Sequence, residues 1–248
     1  MRLRVLTYNI HRAIGVDRRF RPDRIAQILA HHAPDVVLLQ EVDEGAPRSR
    51  ELHLARELAA VLEFPHWCVG HNVSLRRGRY GNATLSHFPI LCERNIDLTL
   101  PPRKRRGCQH TTLRVERPGS LPREVEVFNV HLGLSARERT RQLGILARSD
   151  ELAGLPEDRP CVVAGDFNDW RSLLDPLFTD FLGFRSATRG LALRNGHLRT
   201  YPAFSPTGAL DRIYYRGRIR LVLARRCRLA VSRVASDHLP VIADFELP

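Results

Sequence analysis

Four polar residues stand directly after apolar runs that have the composition of β-strands, and their side chains are of types that bind metals and transfer protons. They are Asn9 after Val5–Tyr8, Glu41 after Val36–Gln40, His131 after Val125–Val130 and Asp166 after Cys161–Gly165. Strands that pack in one core end at a shared rim, where a polar group can stay hydrated or bind a metal instead of being buried without a partner. The spacing therefore predicts that these side chains form one cluster.

The candidate cluster is completed by residues from the second half of the chain, Asn168, Asp211, Asp237 and His238. Carboxylates bind metals and accept protons, histidine changes its protonation near neutral pH, and amides donate hydrogen bonds. Hydrolysis of a phosphate ester requires all of these functions, because the phosphoryl charge must be neutralised while a water is activated. Any one of these residues alone is more often structural, so the prediction depends on their combination.

The elements that must position this cluster are short strands separated by polar turns, with a few helices between them. Strands are predicted at Leu3–Tyr8, Val36–Leu39, Thr111–Val115, Val125–Val130, Cys161–Ala164, Arg212–Tyr215, Ile219–Leu223 and Val241–Phe245. Helical spacing follows Pro22 and recurs across Leu52–Leu62. A third helix is predicted to begin at Ser135, since Glu138 three residues later completes a capping-box pattern. We therefore predict one domain over residues 1–248, with two sheets packed face to face and helices outside them.

The chain is strongly basic, with 39 Lys and Arg against 27 Asp and Glu and a formal net charge of +12. Only Lys104 is a lysine. A bias this strong towards arginine indicates a compositional origin as much as selection for binding, but the excess charge still favours anionic substrates. Arginine clusters occur at Arg76–Arg79, Arg103–Arg106, Arg137–Arg141 and Arg225–Arg228. The first two fall in predicted loops that could overhang the site.

Hydropathy and cysteine content argue against a membrane span and against a disulfide framework. Apolar residues make up 43% of the chain, but no run approaches the roughly eighteen consecutive apolar residues of a transmembrane helix. Asn9 interrupts the N-terminal MRLRVLTYNI, which favours a strand over a signal peptide. The five cysteines are scattered in the sequence, which is typical of reduced thiols. These features predict a cytoplasmic protein without an obligate protein partner.

Seven segments, in order along the chain, carry a resemblance to a known superfamily. They are TYNIH (Thr7–His11), LLQEV (Leu38–Val42), YGNATLS (Tyr80–Ser86), FNVHLG (Phe128–Gly133), AGDFND (Ala164–Asp169), LDRIYY (Leu210–Tyr215) and SDHLP (Ser236–Pro240). Together they resemble the endonuclease/exonuclease/phosphatase superfamily, which includes DNase I-like nucleases, abasic-site endonucleases, neutral sphingomyelinases, deadenylases and inositol polyphosphate phosphatases. The resemblance spans nearly the whole chain. It implies an α+β fold, a four-layer αββα sandwich with two mainly antiparallel sheets.

The resemblance also implies a divalent-metal site. Glu41 would be the principal ligand of Mg²⁺ or Mn²⁺, with Asn9 and Asp237 nearby, directly or through water. So few protein ligands suit Mg²⁺, which keeps several waters and completes its shell with phosphate oxygens. His11 stands where abasic-site endonucleases and related phosphodiesterases usually carry an aspartate, so we treat it as a candidate substrate or site residue and not as a firm ligand. Asn82 in YGNATLS either positions a loop near the site, contacts substrate, or forms a turn with Gly81.

The remaining residues of the cluster would perform the chemistry. The resemblance implies that His131 and Asn168 hold the phosphoryl oxygens as charge develops in the transition state. Asp166 would hold the attacking water, and His238, oriented by Asp211, would form an acid/base pair. Whether Asp166 or His238 takes the proton of the water stays open at this point.

The first functional hypothesis is a Mg²⁺-dependent phosphodiesterase that acts on a small-molecule or lipid-headgroup ester. LLQEV and AGDFND resemble the sphingomyelinase and deadenylase branches, and aromatic residues for stacking bases are scarce at 7%. The alternative is a DNA or RNA nuclease, which the positive charge favours. A third hypothesis is a phosphate-binding module without catalysis, against which the complete set of acids, histidines and amides argues. Basic loops also permit peripheral association with an anionic membrane.

Overall fold

The apolar runs of the sequence form two six-stranded sheets in the computed structural model, which describes residues 1–190 and 196–248. The strands are β1 (Arg2–Asn9), β2 (Val36–Glu44), β3 (His66–Ser74), β4 (Arg79–Ser86), β5 (Ile90–Asp97), β6 (Gly107–Val115), β7 (Arg123–His131), β8 (Cys161–Asp166), β9 (Arg185–Ser186), β10 (Asp211–Arg216), β11 (Arg220–Arg226) and β12 (Val241–Glu246). The helices are α1 (Pro22–His32), α2 (Leu54–Val61), α3 (Ala136–Arg148), α4 (Asp150–Ala153) and α5 (Ser232–Ala235).

Both sheets have one parallel pair of strands at their centre. The first sheet has the order β11-β12-β1-β2-β4-β3 and the second the order β5-β6-β7-β8-β10-β9. β1 and β2 are parallel, as are β7 and β8, while the other neighbouring strands are antiparallel. Parallel strands end at the same edge of a sheet. The two pairs therefore carry polar residues of the candidate cluster at their carboxyl ends.

The predicted layers follow from alternating side chains on the central strands. Inward-facing residues such as Val5, Val36 and Val127 form a core between the sheets. The opposite faces bury Leu6 and Leu39 against α1 and α2 on one side, and other apolar residues against α3 on the other side. These layers confirm the expected α+β sandwich with two mainly antiparallel sheets.

The space between the sheets becomes polar near the site. Asn129 on β7 donates hydrogen bonds from Nδ2 to the carbonyls of Leu39 and Ala83 in the other sheet, both at 3.0 Å. Its Oδ1 accepts a hydrogen bond from Gln40 Nε2 at 2.8 Å. All of these groups are buried. Directional bonds therefore fix the relative position of the two sheets beside the cluster.

The eight predicted strands and three predicted helices are present, whereas β3, β4, β5 and β9 were not predicted. β4 has the sequence RYGNATLS, in which Asn82 and Thr84 are buried because they face the polar part of the space between the sheets. β5 alternates partly buried with exposed residues at a sheet edge. Neither strand has the apolar composition on which the prediction depends. At the third helix, Ser135 Oγ accepts a hydrogen bond from the Glu138 backbone N–H at 3.2 Å, as the capping pattern predicted.

Gly165 permits the close approach of β7 and β8 directly before Asp166. Its φ is +146°, and a Cβ atom would lie 2.0 Å from the carbonyl oxygen of Val130. We expect Gly165→Ala to lower the free energy of unfolding by roughly 2–4 kcal/mol, measured by urea denaturation, because strain and overlap add. Gly119→Ala is the control, since Gly119 also has a positive φ but has nothing within 4 Å of its Cβ position. Equal losses in the two variants would contradict the role of close packing.

Candidate active site

Asp166 lies at the centre of the cluster, at the end of β8. Its Oδ2 accepts a hydrogen bond from Asn9 Nδ2 at 3.0 Å and lies 3.5 Å from His131 Nε2 and 3.8 Å from His238 Nε2. Its Oδ1 accepts the backbone N–H of Asn168 at 2.9 Å. Asn9 belongs to the first sheet and His131 to the second. The site therefore lies across the edges of both sheets, as the strand-end pattern predicted.

His238 and Asp211 form an ion pair beside Asp166. His238 Nδ1 donates a hydrogen bond to Asp211 Oδ2 at 2.8 Å, and this bond orients the ring so that Nε2 faces Asp166. The same Asp211 oxygen accepts a hydrogen bond from Thr200 Oγ1 at 2.6 Å. Asp211 is fully buried and His238 is 5% exposed. The carboxylate thus fixes the orientation of the imidazole ring.

The charges of this centre are set by burial and by neighbouring groups. Burial raises the pKa of the Asp166 carboxyl, and the negative charge of Asp211 adds to this effect against the opposing charge of His238. For His238, burial disfavours the charged ring, but the carboxylates of Asp211 and Asp166 outweigh it and raise the pKa. The imidazolium form of His238 is therefore favoured between two carboxylates.

His131 has a partner that the sequence motifs do not identify. Arg106 Nη1 lies 2.9 Å from His131 Nε2, and the guanidinium is 7% exposed. Because a guanidinium only donates, Nε2 of the ring accepts this hydrogen bond and its proton is on Nδ1. Burial, followed by the charge of Arg106, lowers the pKa of His131 well below its usual value. His131 is thus a neutral ring next to a buried cation.

Asn168 is held in place by its backbone conformation as well as by its hydrogen bonds. Its φ is +51°, in the left-handed region that asparagine tolerates better than most residues. Its Nδ2 donates to the carbonyl of Leu132 at 3.0 Å. The turn places Asn168 beside Asp166, two residues earlier in the chain, and brings both residues into the cluster.

A bulge in β2 determines the direction of Glu41. The pairing of β2 with β4 shifts register between Leu39 and Val42, so that Gln40 and Glu41 lie opposite Asn82 alone. Glu41 itself has a φ of +57°. Such a bulge turns a side chain away from the face that regular alternation would give it. The Glu41 carboxylate is partly exposed and lies 3.4 Å from Arg12 Nε.

Asn9 and Asp237 are brought next to this bulge. Asn9 pairs with Gln40 in the parallel ladder, one residue before Glu41. Ser236 Oγ donates to the Asn9 carbonyl at 2.7 Å and lies 3.3 Å from Asp237 Oδ1. The expected metal ligands therefore come from three segments that meet at one rim.

His11 and Asn82 have structural contacts. The His11 backbone N–H donates to Asn9 Oδ1 at 3.1 Å, and its Nδ1 bonds to the carbonyl of Ile14 at 2.9 Å. Asn82 is buried and donates from Nδ2 to the carbonyls of Gly107 and Asn129 in the opposite sheet. His11 thus supports the turn after β1, and Asn82 links the sheets beneath the site.

Sequence reasoning missed Arg106, Thr200 and Tyr201. The arginine cluster at Arg103–Arg106 could have indicated Arg106, since it falls in a predicted loop that was expected to overhang the site. Tyr201 packs with a ring-centroid distance of 5.0 Å to His238 and 5.5 Å to Trp170. Thr200 and Tyr201 have no strand or helix pattern that would have marked them.

All five cysteines are free thiols.

Within the described part of the chain, no helix has the length and apolar character needed to cross a membrane.

Comparisons with known proteins show which family has this fold. A model of the Endonuclease/Exonuclease/phosphatase family matches residues 6–238. The chain is 32% identical to the uncharacterised protein YbhP of Escherichia coli strain K12, over 98% of this chain and 96% of that protein. Among solved structures, it is similar to an endonuclease/exonuclease/phosphatase from Beutenbergia cavernae DSM 12333, with a TM-score of 0.78, 25% identity, and coverage of 99% of this chain and 72% of the other.

A second solved structure shows the same fold at lower identity. The mannosyl-6-phosphatase Bt3783 of Bacteroides thetaiotaomicron VPI-5482 has a TM-score of 0.74 and 18% identity, with 99% of this chain and 100% of that chain covered. The ordered motifs, the two-sheet fold and the family match point to one conclusion. This chain belongs to the endonuclease/exonuclease/phosphatase family.

Proposed function

We propose that this protein hydrolyses phosphodiesters, assisted by a divalent cation such as Mg²⁺ or Mn²⁺. The observation that carries the proposal is Asp166, whose Oδ2 lies within 4 Å of nitrogen atoms of both His131 and His238. A carboxylate between two imidazoles can hold a water for attack while its neighbours contact the phosphoryl oxygens and the leaving oxygen. These are the functions that in-line hydrolysis requires.

In this proposal each side chain acts from its observed position. Asp166 orients the attacking water and accepts its proton, since its carboxylate is the acceptor at the centre of the cluster. His238 is held as a cation by Asp211 and donates a proton to the leaving oxygen. Asn168 supplies an amide donor to the phosphoryl group. Because His131 Nε2 is already occupied by Arg106, the guanidinium of Arg106 supplies positive charge at that side of the phosphate.

The donor set beside Glu41 fits a hard divalent cation. Glu41 and Asp237 offer carboxylate oxygens and Asn9 an amide oxygen, and Mg²⁺ in enzymes binds one or two carboxylates together with waters and phosphate oxygens. When bound, the cation would neutralise the phosphoryl oxygens and polarise the scissile ester. Asp166, Asp211 and His238 also lie together, with ligand-type atoms within 4.8 Å of one another. Because Asp211 Oδ2 already accepts hydrogen bonds from His238 and Thr200, we assign that group to proton transfer.

Exposed apolar side chains near the site support a small-molecule or lipid-headgroup diester as substrate. Trp170 is 55% exposed and follows Asn168 by two residues, and its ring contacts Tyr201 next to His238. Phe204 is 65% exposed and follows Ala203, whose N–H donates to the Asp237 carbonyl at 2.7 Å. Exposed apolar groups grouped around a site indicate an apolar contact with substrate or membrane.

The alternative is a nuclease, which the residues before Arg106 favour. Arg103, Lys104 and Arg105 are exposed and directly precede the guanidinium that contacts His131. Such a series could contact successive phosphates of a strand. Each neutralised phosphate lowers log affinity by about 0.7–0.9 per unit of log salt, whereas a substrate with one phosphate should respond little.

The test is a substrate panel with and without EDTA. It would contain single- and double-stranded DNA, RNA, glycerophosphodiesters, sphingomyelin and phosphomonoesters, assayed at several salt concentrations. We expect EDTA-sensitive cleavage of a glycerophosphodiester or sphingomyelin with weak salt dependence. Preferential cleavage of DNA or RNA with a steep salt dependence would establish the nuclease instead. Inactivity on every substrate would favour a binding module.

We expect Arg106→Ala to lower kcat/KM by about 10–100-fold on a small phosphodiester, because a charge-assisted contact of roughly 1.5–3 kcal/mol is lost. Arg106→Lys should recover part of this activity, since it keeps the charge but not the planar fork. Arg105→Ala is the matched control, because it removes the same charge from an exposed neighbour. The measurement is steady-state kinetics at constant ionic strength. Similar losses for the Arg105 and Arg106 variants would show that only the general charge of the loop matters.

A further inference from the structure

A second cleft lies outside the catalytic cluster, between the end of α1, strand β11 and the segment 196–206. Its volume is about 920 Å³, within the range of pockets that hold small molecules. The residues that carry its charge are Arg199, Arg225, Arg226 and Arg228. Its lining contains no carboxylate among the described residues, and the sequence of 191–195, LALRN, contains no acidic residue. The cleft is therefore strongly positive.

The arginines of this cleft differ from other arginines on the same strand. Arg220 pairs with Glu246, and Arg225 donates to Asp244 Oδ2 at 2.7 Å. In contrast, no carboxylate of residues 1–190 or 196–248 lies within 4 Å of Arg199, Arg226 or Arg228. The remaining residues, 191–195, contain no Asp or Glu. Arg226 uses one nitrogen on the carbonyl of Arg199 at 2.7 Å. Among the described residues, these guanidinium groups use few of their donors, which leaves the others for a ligand.

Other groups in the cleft are also arranged for an anion. The carbonyl of His32, at the negative end of α1, accepts a hydrogen bond from Arg4 Nη1 at 2.8 Å, which offsets its partial charge. The His32 side chain is 8% exposed, and its Nε2 has no hydrogen-bond partner among the described residues. Burial, followed by the positive charges of Arg228 and Arg233, lowers the pKa of Arg226. A bound anion would relieve this repulsion between like charges.

We propose that this cleft binds a soluble anion that carries more than one phosphate group. Several unpaired guanidinium groups in one cleft match several charged oxygens, and the planar fork of arginine fits phosphate oxygens in pairs. The concave shape distinguishes the cleft from a flat surface for membrane docking. The lining of the cleft includes none of the residues of the catalytic cluster, so the proposal does not depend on the proposed hydrolysis.

The test is calorimetric titration of the full chain with inorganic tripolyphosphate in the presence of EDTA, which prevents metal-dependent turnover. The test variant is Arg199→Ala with Arg228→Ala, because neither side chain forms an ion pair within the described chain, so we expect the variant to fold like the wild type. We expect its Kd to rise by at least about tenfold, since charge-assisted contacts are lost. The control variant, Arg137→Ala with Arg141→Ala, removes two exposed charges from α3 on the other side of the sandwich and should bind like the wild type.

Two further arms locate the binding. Arg106→Ala removes the cation of the catalytic cluster and should leave the tripolyphosphate Kd within about twofold, because Arg106 does not line the cleft. Co-sedimentation with vesicles of anionic phospholipid should not depend on Arg199 and Arg228. The proposal is overturned if tripolyphosphate shows no saturable binding, if the α3 variant binds it as weakly as the Arg199/Arg228 variant, or if the Arg106 variant loses binding. It is also overturned if the two cleft arginines are needed for vesicle binding but not for tripolyphosphate binding. Thermal unfolding of each variant checks that it is folded.

Discussion

Replacing His238 by alanine is expected to lower kcat for phosphodiester hydrolysis by about 10²–10⁴-fold, the contribution that general acid–base catalysis typically makes. His238 is the only imidazole of the site that is held between two carboxylates, Asp211 at 2.8 Å and Asp166 at 3.8 Å, in the described part of the chain. In the proposed function, His238 gives a proton to the leaving oxygen. The measurement is single-turnover cleavage with saturating metal.

The His238 variant needs a control for stability, because it leaves the buried Asp211 with Thr200 as its remaining partner. Asp211→Asn keeps the ring and the shape of the site while removing the negative charge. We expect its activity to fall as well, although less than that of His238→Ala, because the ring loses the charge that favours its cationic form. Thermal unfolding in both variants separates a loss of chemistry from a loss of fold. Wild-type turnover in a folded His238→Ala protein would refute the assignment.

The second large effect is expected from Glu41→Gln. This change keeps the size of the side chain and removes the charge that a divalent cation requires. Activity at limiting Mg²⁺ should therefore fall by about 10²-fold or more, because such a cation stabilises the transition state by several kcal/mol. A higher Mg²⁺ concentration should restore part of the rate if the defect is in metal binding. Titration of activity against Mg²⁺ and Mn²⁺ measures this directly.

Glu44 provides the matched control for Glu41. It lies on the same strand, three residues further along, but its carboxylate contacts His53, His71 and Arg79 at the surface. Glu44→Gln should therefore leave the metal dependence unchanged. If the Glu41 and Glu44 variants have the same metal dependence as the wild-type protein, the proposed ligand is wrong.

The sequence was sufficient to predict the fold class and the strand-end residues of the cluster, because alternation and ordered motifs depend on local composition. It was not sufficient for Glu41, which lies inside β2 and not at its end, and whose direction depends on a bulge opposite Asn82. Regular alternation would have pointed it towards the helices. Arg106 was visible only as part of a charged loop, since its contact with His131 forms between positions 25 residues apart. Such contacts are properties of the folded chain.

Left-handed backbone conformations at the site could not be predicted from the sequence either. His11, Arg12, Glu41 and Asn168 all have positive φ values although none is glycine. Each costs free energy that the surrounding fold must supply. Strain of this kind is expected where side-chain direction matters more than local preference, and these four residues are among the eleven non-glycine residues with positive φ in the described chain.

The hydrogen bonds of Asn129 and Gln40 across the sheets have a consequence for how the enzyme fails. The catalytic groups come from both sheets, so a small sliding of one sheet against the other would separate Asn9 and Glu41 from Asp166 even while every strand stayed intact. Apolar contacts tolerate such sliding, but amide-to-carbonyl bonds do not. Turnover should therefore be a more sensitive gauge of inter-sheet alignment than circular dichroism. During denaturation or after mutation of this polar layer, the protein would keep both sheets folded but lose activity, because the catalytic groups would no longer be aligned.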